Sequence, residues 1–371
     1  MPEALVRRGT YDYSALRPVI FEMMDALGQG RIKENRRVLI KPNLLSPATP
    51  AKAVTTHPLV LKGVVEYVLD KKACPVISDS PAIGSFDRVL REGGYREALK
   101  DLDVVLKPFS VSAKTDIGRP FGAVELAEAA LKADVVVNCA KLKTHSQMLL
   151  TLGVKNMFGC VIGLKKSEWH LRSGVDRETF ARLLVQIHNR IAPAVTLIDG
   201  ILALEGHGPG KGGTPKPLGI LVGSREALWA DAAVCRLLGL SPDRLPTLAA
   251  ARRLDLSFVP VRLLGDDIGK ISLRLPELAP LSFGPRRFQG LIRRHLVQRP
   301  VVDPVRCRQC GECVAICPAK AVTPDEKAVS FDYDPCIRCY CCIEICPHGA
   351  LHAAETLPGK LLRRVMKYWG M

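Results

Sequence analysis

The C-terminal cysteines constrain what this chain can fold into more than any other feature of its sequence. Four cysteines precede Pro318 in the pattern C-x2-C-x2-C-x3-C-P, and four more precede Pro347 in the same pattern. In bacterial ferredoxins of this type, three thiolates of each run bind one iron–sulfur cluster and the fourth binds the other. The duplicated pattern therefore predicts two [4Fe–4S] clusters in a small module.

Because the fourth cysteine of each run binds the cluster of the other run, all eight cysteines can be assigned to a cluster. We expect one cluster on Cys307, Cys310, Cys313 and Cys346. We expect the second cluster on Cys336, Cys339, Cys342 and Cys317. Zinc is the alternative, because C-x2-C pairs also make tetrahedral zinc sites, but zinc does not need the duplicated C-x3-C-P ending. Cys341 is off register, which leaves it as a bystander or a spare ligand.

Charge is distributed unevenly along the chain. Lys and Arg number 53 against 37 Asp and Glu, which gives a formal net charge of +16. The segment 300–356 is acidic, and bound clusters would make it more so. We therefore expect an acidic iron–sulfur module that docks on a basic body through complementary charge.

Composition and hydropathy exclude several classes of protein. No apolar run is long enough for a membrane span, and the first residues lack the apolar core of a secretory signal. These features predict a cytoplasmic protein, in which many cysteines indicate metal binding before disulfides. Aromatic residues make up only 5% of the chain, and the basic clusters lack interleaved stacking residues, so no nucleic-acid partner is expected.

The first 284 residues alternate short apolar runs with helical segments. Strand-like runs lie at 38–41, 75–80, 103–109, 134–140, 194–201, 218–224 and 259–266. Helical runs lie at 58–72, 84–99, 123–132, 176–191 and 225–239. Near-continuous apolar strands between helices are typical of a mostly parallel sheet covered by helices. We predict an α/β body of this kind, followed by a small α+β ferredoxin-like module.

The predicted domain layout has four parts. The α/β body covers 1–284, a basic linker helix 285–299, the two-cluster domain 300–356, and a basic amphipathic tail 357–371. The linker and the tail carry apolar residues at helical spacing with arginines and lysines around them. They either pack on the body with their charges in water, or contact an anionic membrane surface or a partner protein.

Polar residues collect where the predicted strands end. Open parallel sheets bind ligands beyond the carboxyl ends of their strands. The residues expected to bind substrate there are Lys41, Asn43, Asn138, Lys141, Lys155, Asn156, Asp199 and Glu205. The residues expected to be catalytic are His145, Lys143 and Asp79. Each alone is commonly a loop or core residue, but together they predict a site for an anionic small molecule.

The chemistry of these side chains suggests their roles. Lys41, Lys143 and Lys155 would neutralise an anionic ligand, and the three asparagines would orient it. His145 is the candidate proton donor, because an unperturbed imidazole titrates near pH ~6.5. Asp79, Asp199 and Glu205 would otherwise bind a divalent metal ion or act as bases.

The glycine-rich segment 206–215 does not match a phosphate-binding loop. Glu205 stands where that motif needs its first glycine, and Gly212 stands where it needs Ser or Thr. No G-x-G-x-x-G follows a predicted strand either. The sequence therefore gives no direct support for a nucleotide site.

Several motifs in order resemble the domain-of-unknown-function 362 family. They are KPNLL (41–45), DSP (79–81), NCAKLKTH (138–145), GVKNMFG (153–159), GLKKSEWH (163–170) and DGILALEGHGPGKGG (199–213). The resemblance covers roughly residues 35–240. In the last motif, His207 stands where the family's EGNGP form has an asparagine. Several members carry a two-cluster ferredoxin module, so the resemblance implies this site map and the link to iron–sulfur clusters, but no particular reaction.

Three functional hypotheses follow from the sequence. The first is an iron–sulfur oxidoreductase that passes electrons, received from a donor protein, to an anionic small molecule bound in the body. The second is an electron carrier or adaptor that serves a partner enzyme. The third is a non-redox protein with structural clusters. The residues leave open whether a flavin or a divalent metal also binds.

Overall fold

The computed structural model describes residues 1–163, 165–174, 176–278 and 295–361. Its strands are β1 Glu3–Arg8, β2 Arg37–Pro42, β3 Cys74–Ile77, β4 Val105–Leu106, β5 Ser112–Asp116, β6 Ala123–Ala127, β7 Val135–His145, β8 Leu149–Thr151, β9 Val195–Gly206, β10 Gly213–Ser224, β11 Arg262–Gly265, β12 Arg299–Val302, β13 Val322–Pro324, β14 Val329–Phe331 and β15 Leu351–Ala354. Its α-helices are α1 Tyr13–Gly28, α2 Pro58–Asp70, α3 Phe86–Glu92, α4 Tyr95–Leu99, α5 Glu128–Leu131, α6 Gly153–Asn156, α7 Lys165–Ser173, α8 Arg177–Ile191, α9 Ala227–Leu237, α10 Pro246–Arg253, α11 Glu312–Ile316 and α12 Cys341–Ile345. Short 3-10 turns lie at Pro50–Lys52, Met157–Cys160 and Pro242–Arg244.

The body is built on one large sheet in the order β11-β1-β10-β9-β7-β2-β3-β4, with β8 paired to the end of β7. Strands β9, β7, β2, β3 and β4 run parallel, whereas β10 is antiparallel to both β9 and β1. The predicted mostly parallel α/β fold is confirmed. The antiparallel strand arises because a short glycine-rich connection joins β9 to β10, too short for the crossover that a parallel strand needs.

Alternating side chains of the central strands fill two cores, one on each face of the sheet. On β7, Val135 and Val137 pack in the core that also contains α1 and α2, whereas Val136 and Leu142 pack in the core with α8 and α9. A strand covered on both faces has no solvent side, which is why these strands are nearly continuous apolar runs.

One predicted helix is wrong. Residues 123–132 form strand β6 and the short helix α5 instead. Val124 and Leu126 are buried while Ala123 is exposed and Glu125 half-buried, which is the two-residue period of a strand, and β6 pairs with β5 in register from Ser112 opposite Ala127. The alanine-rich composition favours a helix locally, but pairing with β5 overrides that preference.

Strands β7 and β9 are longer than the sequence predicts. Their extra length determines where the polar residues of the predicted site lie. Strand β7 continues to His145 and β9 continues to Gly206. Their pairing shifts register, since Lys141 lies opposite Asp199 but Lys143 lies opposite Leu204. The irregularity directs Lys141 and Lys143 into different surroundings although both belong to one strand.

The C-terminal module has its own small core, covered by two antiparallel pairs of strands. Strand β12 pairs with β15 and β13 pairs with β14, while α11 and α12 pack together on them. Most of the predicted linker helix (285–294) and of the tail (362–371) lies outside the described residues. In the part of the chain that is described, no helix is long and apolar enough to cross a bilayer.

The module rests on the glycine-rich segment between β9 and β10. A Cβ atom on Gly210 would lie 2.6 Å from the backbone oxygen of Glu344, and one on Gly349 would lie 2.9 Å from the backbone oxygen of Lys211. Glycine is needed at both positions because the two backbones approach too closely for a side chain. The glycine-rich segment is therefore a docking surface for the module.

We predict that Gly210→Ala weakens the docking of the module on the body. The added methyl group would overlap the Glu344 carbonyl, and such overpacking costs about 1–3 kcal/mol. Denaturant unfolding of the iron-loaded protein should show this loss. Gly28→Ala is the control, because the atom nearest to its added Cβ is Ile32 Cδ1 at 3.4 Å, which is ordinary van der Waals contact. Equal stabilities for the two variants would contradict the prediction.

Candidate functional site

The cysteines of the module surround two separate cavities. The first cysteine cavity is lined by Cys307, Cys310, Cys313 and Cys346. The second cysteine cavity is lined by Cys317, Cys336, Cys339 and Cys342, together with Cys341. These are the two ligand sets that the sequence predicts, with the fourth ligand of each run exchanged. Four thiols that surround a cavity fit a four-iron cube, whereas a single metal ion would need them to converge on one point.

Backbone N–H groups also fit bound clusters. The amide of Ala321 donates to Cys317 Sγ at 3.2 Å, and the amide of Ala350 donates to Cys346 Sγ at 3.3 Å. The two cysteines hold equivalent places in the repeated motif, four residues before the donor. Hydrogen bonds of this kind stabilise the negative charge that a cluster brings.

A third cavity, the lysine cavity, lies between the body and the module and encloses about 200 Å³. The body contributes side chains from the ends of β2 and β7, from the loop after β3, and from the segment 155–170. The module contributes Ile316, Cys341, Glu344 and Ile345. The charged residues that line it are Lys41, Lys143, Lys155, Lys166, Asp79 and Glu344. Lysines outnumber carboxylates in this list, so the cavity suits an anionic ligand.

Lys41 and Asp79 form a buried ion pair at one end of the cavity. Their Nζ and Oδ1 atoms lie 2.8 Å apart. The carboxylate also accepts the backbone N–H groups of Leu44 and Ser80, which fixes its position. A Cβ on Gly159 would lie within 2.6 Å of Asp79 Oδ1 and 2.5 Å of Lys41 Nζ, so a glycine is needed for the pair to approach that backbone.

Lys143 is buried without a carboxylate partner among the described residues. Its Nζ donates to Asn43 Oδ1 at 2.8 Å and to the Val54 carbonyl at 2.6 Å. Burial lowers the pKa of Lys143 to about 7, with Lys155 nearby acting in the same direction. An ammonium group with two neutral acceptors retains one N–H for a ligand in the cavity.

Lys166 has a similar environment. Its Nζ donates to the carbonyl and to the hydroxyl of Ser80 at 2.7 and 2.9 Å. Burial lowers the pKa of Lys166 to about 8 against the attraction of Asp79, and the charge of Lys41 acts in the same direction as burial. Both lysines therefore exchange protons near neutral pH, which is unusual for this side chain.

Glu344 of the module faces Lys155 and His145 of the body. Burial alone would raise the pKa of Glu344, but the charge of Lys155 and the neighbouring imidazole of His145 hold it well below its usual range. His145 Nδ1 accepts the backbone N–H groups of Gln147 and Met148, so its Nε2 carries the proton and lies 3.7 Å from Glu344 Oε2. Burial lowers the pKa of His145 to about 4, so this histidine is neutral at pH 7.

The predicted asparagines form a chain of hydrogen bonds behind the cavity. Asn43 donates to Asn156 Oδ1 at 3.0 Å, and Asn156 donates to Asn138 Oδ1 at 2.8 Å. Asn138 in turn donates to the carbonyl of Gly153 at 2.9 Å. Asn43 and Asn156 reach the cavity wall, whereas Asn138 is fully buried and supports them.

Five predicted site residues do not line the lysine cavity: Asn138 supports its wall, His145 lies against Glu344, and the other three lie elsewhere. Lys141 and Asp199 form a separate buried ion pair at 2.7 Å, and the hydroxyl of Tyr11 donates to Asp199 at 2.8 Å. Glu205 pairs with Arg274 at 2.8 Å. None of these three lines the lysine cavity, because the register shift between β7 and β9 separates them from Lys143.

Sequence reasoning missed the contribution of the module to this cavity. Cys341 lines both the second cysteine cavity and the lysine cavity, so the two cavities share this wall residue. The sequence signal for this role was the position of Cys341 beside Cys342, outside the repeated cysteine pattern. Asp231 was also missed; its carboxylate accepts the N–H groups of Gly153 and Val154, which anchors the helix that carries Lys155.

The fold and the cysteine cavities define an α/β protein with an iron–sulfur module of the ferredoxin type. The family described as "Domain of unknown function (DUF362)" matches residues 38–236, and a "4Fe-4S dicluster domain" matches residues 299–347. The chain belongs to the DUF362 family, as its motifs suggested, and its C-terminal module is an electron-transfer domain that binds 4Fe-4S clusters.

Relatives cover the two parts differently. "Thylakoid-associated protein sll1697" from Synechocystis sp. is 34% identical over 310 residues, which is 81% of this chain and 96% of that protein. A "Ferredoxin" from Pyrobaculum islandicum is 36% identical over 63 residues, 16% of this chain and 59% of that protein. Because the long relative is named for thylakoids, the cytoplasmic location stays a prediction.

Solved structures resemble the body only in its fold. The lactate racemase apoprotein from Thermoanaerobacterium thermosaccharolyticum superposes with a TM-score of 0.35 at 12% identity. The match covers 55% of this chain and 51% of that one. At this level of similarity nothing about the function of this chain follows.

Replacing single cysteines tests the exchange of ligands between the two runs. Cys346→Ser should perturb the same cluster signal in electron paramagnetic resonance as Cys310→Ser, and Cys317→Ser the same signal as Cys339→Ser. The reason is that each pair lines one cavity. Bound iron should fall from about eight toward about four atoms per chain in each variant. A shared signal for Cys317→Ser and Cys310→Ser would contradict the assignment.

Proposed function

We propose that this protein is an iron–sulfur reductase that passes electrons to a small anionic molecule bound in the lysine cavity. The observation that carries the proposal is the position of Cys341, which lines both this cavity and the second cysteine cavity. Clusters bound in both cysteine cavities supply single low-potential electrons. A ligand in the lysine cavity would lie one side chain away from that supply.

Charge and size define the class of ligand. The cavity walls hold unpaired lysine N–H groups together with apolar surface from Leu44, Phe158 and Ile345. A volume of about 200 Å³ suits a compact molecule rather than a dinucleotide. We infer a small carboxylate or phosphate compound with an apolar or unsaturated part, and no flavin is required for the proposal.

Lys143 and Lys166 are suited to supply protons. Reduction of a polarised double bond consumes two electrons from the donor protein and two protons, and it yields the saturated product. Both Nζ groups face the cavity, and both exchange protons near neutral pH, which matches the requirement for a general acid. We assign the protons to these lysines rather than to His145, because that imidazole is neutral and lies behind Glu344.

The remaining residues bind and orient. Lys155 would pair with the anionic group of the ligand, and its helix is held in place by Asp231. Lys41 and Asp79 neutralise each other and shape one end of the cavity. We propose that His145 fixes Glu344, and thereby the wall that the module contributes.

The proposal is tested by oxidising the pre-reduced protein with candidate substrates. Protein reduced with one equivalent of dithionite is mixed anaerobically with 2-oxo and α,β-unsaturated carboxylates of two to six carbons. We expect one class to restore the visible absorbance of the oxidised clusters, and Lys143→Met to slow this about 10²-fold or more. Lys33→Met, at an exposed position, is the matched control.

Two results would reject the proposal. One is reoxidation at the same rate in Lys143→Met and wild type. The other is a protein that no small molecule reoxidises but that passes electrons rapidly to another protein, which would favour the carrier or adaptor function.

The pH dependence has a defined sign. Lysine attracts an anion and donates a proton only when it is protonated, and the pKa of Lys143 is about 7. We therefore expect the rate at low substrate concentration to fall as the pH rises through about 7 and further through about 8. Steady-state rates between pH 6 and 9 check this, and a rate that rises over this range would exclude lysine as the acid.

A further inference from the structure

Two residues in the wall of the lysine cavity have buried polar atoms without a hydrogen-bond partner. Thr151, at the end of β8, is 3% exposed, and His170, in α7, is 4% exposed; both line the cavity. Among the described residues, neither Thr151 Oγ1 nor His170 Nδ1 has a partner. Buried polar groups are nearly always hydrogen-bonded, and leaving one unpaired lowers the stability of a fold. Their place in a cavity wall therefore points to a partner that binds in the cavity.

Lys155 is a third group of this kind. It lines the same cavity at 9% exposure, and its Nζ forms no hydrogen bond or ion pair within the part of the chain that the structure describes. The ring centroid of Phe158 lies 5.8 Å from Nζ, and Glu344 attracts the ammonium group from beyond ion-pair distance. All three N–H donors of this buried lysine are therefore available to a ligand.

The fold brings these three residues to one side of the cavity. Thr151 lies opposite Lys143 in the pairing of β8 with β7, and α6, which carries Lys155, begins two residues after Thr151. Phe158 connects Lys155 to His170, because its ring centroid lies 5.7 Å from that of the imidazole. We call Thr151, Lys155 and His170 the donor cluster.

The ring of His170 is held in one orientation. It packs on Phe180 at a centroid distance of 4.1 Å, while the edge-to-face contact with Phe158 holds it from another side. Burial lowers the pKa of His170 to about 3, so the imidazole is neutral at pH 7. A neutral imidazole with its proton on Nδ1 is an uncharged donor at a fixed position.

We propose that the donor cluster is the binding site for a carboxylate group of the ligand. The proposal rests on the anion binding that the proposed function requires, but not on reduction. Lys155 supplies the positive charge, whereas the hydroxyl of Thr151 and the imidazole of His170 supply uncharged donors. Each of the three then gains the hydrogen bond that it lacks within the described chain. The rest of the ligand would lie beside Lys143, to which we assigned a proton.

Charge favours a carboxylate over a phosphate at the donor cluster. Lys155 is its one cation, and Glu344 of the module already opposes that charge. A phosphate dianion would bring two negative charges beside Glu344, whereas a carboxylate brings one, which a single ammonium group can compensate. A carboxylate also offers two oxygens, among which three donors from different elements can be shared.

The test measures binding to the oxidised, iron-loaded protein by isothermal titration calorimetry. The probes are 2-oxo and α,β-unsaturated carboxylates of two to six carbons, the amide of the acid that binds tightest, and inorganic phosphate. We expect that acid to bind at least about tenfold more tightly than its amide or phosphate. Thr151→Val and His170→Phe should each weaken its binding about tenfold, the loss of one hydrogen bond to a charged group. Thr151→Ser, which keeps the hydroxyl, should retain most of the affinity.

Stability separates a binding role from a structural one. Thr151→Val replaces an unpartnered hydroxyl by a methyl group of similar shape, so without a ligand this variant should unfold at the wild-type denaturant concentration or a higher one. Ser78→Ala is the matched control, because Ser78 Oγ is also buried without a partner among the described residues, but Ser78 does not line the cavity. We expect Ser78→Ala to bind the acid as the wild type does.

Three results would overturn the proposal. They are equal affinity for the acid in Thr151→Val, His170→Phe and Ser78→Ala, tighter binding of phosphate than of every acid, and no binding of any acid. Because calorimetry on oxidised protein involves no electron transfer, an acid that binds at the donor cluster but does not reoxidise the reduced protein would reject only the reductase function. An acid that reoxidises Thr151→Val and His170→Phe as fast as the wild type at low concentration would reject only the donor cluster.

Discussion

The site depends on the burial of lysines between two separately folded parts of the chain. An ammonium group loses its hydration when it is buried, and that cost must be offset by hydrogen bonds or opposite charge. Lys41 is compensated within the body by Asp79 at 2.8 Å. Lys155 instead faces Glu344 of the module, so its compensation exists only when the module is docked. The docked module therefore completes the lysine cavity both sterically and electrostatically.

The same contact sets the geometry for electron transfer. Gly210 and Gly349 let the two backbones approach closely, and this brings α12 against the segment that carries Lys155. Cys341 then has the second cysteine cavity on one side and the lysine cavity on the other. The reductase function that we propose requires this proximity, because electrons would have to reach a ligand from which water is excluded. A module displaced by a few ångströms would lose both features together.

A rigid frame keeps the lysines in place. The asparagine chain from Asn43 through Asn156 to Asn138 ties β2, α6 and β7 to one another. The pair of Lys141 with Asp199, joined by the hydroxyl of Tyr11, ties the loop before α1 to β7 and β9. Buried polar networks of this kind are stable only when every member is satisfied, which restricts the backbone to one arrangement. These networks thus hold the cavity wall in place, and Asn43 and Asn156 also form part of that wall.

The sequence alone determined the α/β fold and the family, and it predicts which cysteines bind the clusters. The spacing of cysteines within a few residues of one another fixes which thiols can share a cluster, and apolar runs covered on both faces imply a parallel sheet. It also grouped Lys41, Asp79, Lys143 and Lys155, and the structure places all four in the wall of one cavity. Lys41 and Lys143 lie near the ends of their strands, Asp79 follows β3, and Lys155 lies in α6. Local pattern can reveal such positions.

Only the tertiary structure decided which of the remaining polar residues share that cavity. Lys141, Asp199 and Glu205 are equally polar and equally near strand ends, but a register shift between β7 and β9 directs them elsewhere. It also decided that Glu344 and Cys341, far along the chain, complete the wall. Contacts between segments separated by 200 residues depend on how two surfaces pack, and no local spacing encodes that packing.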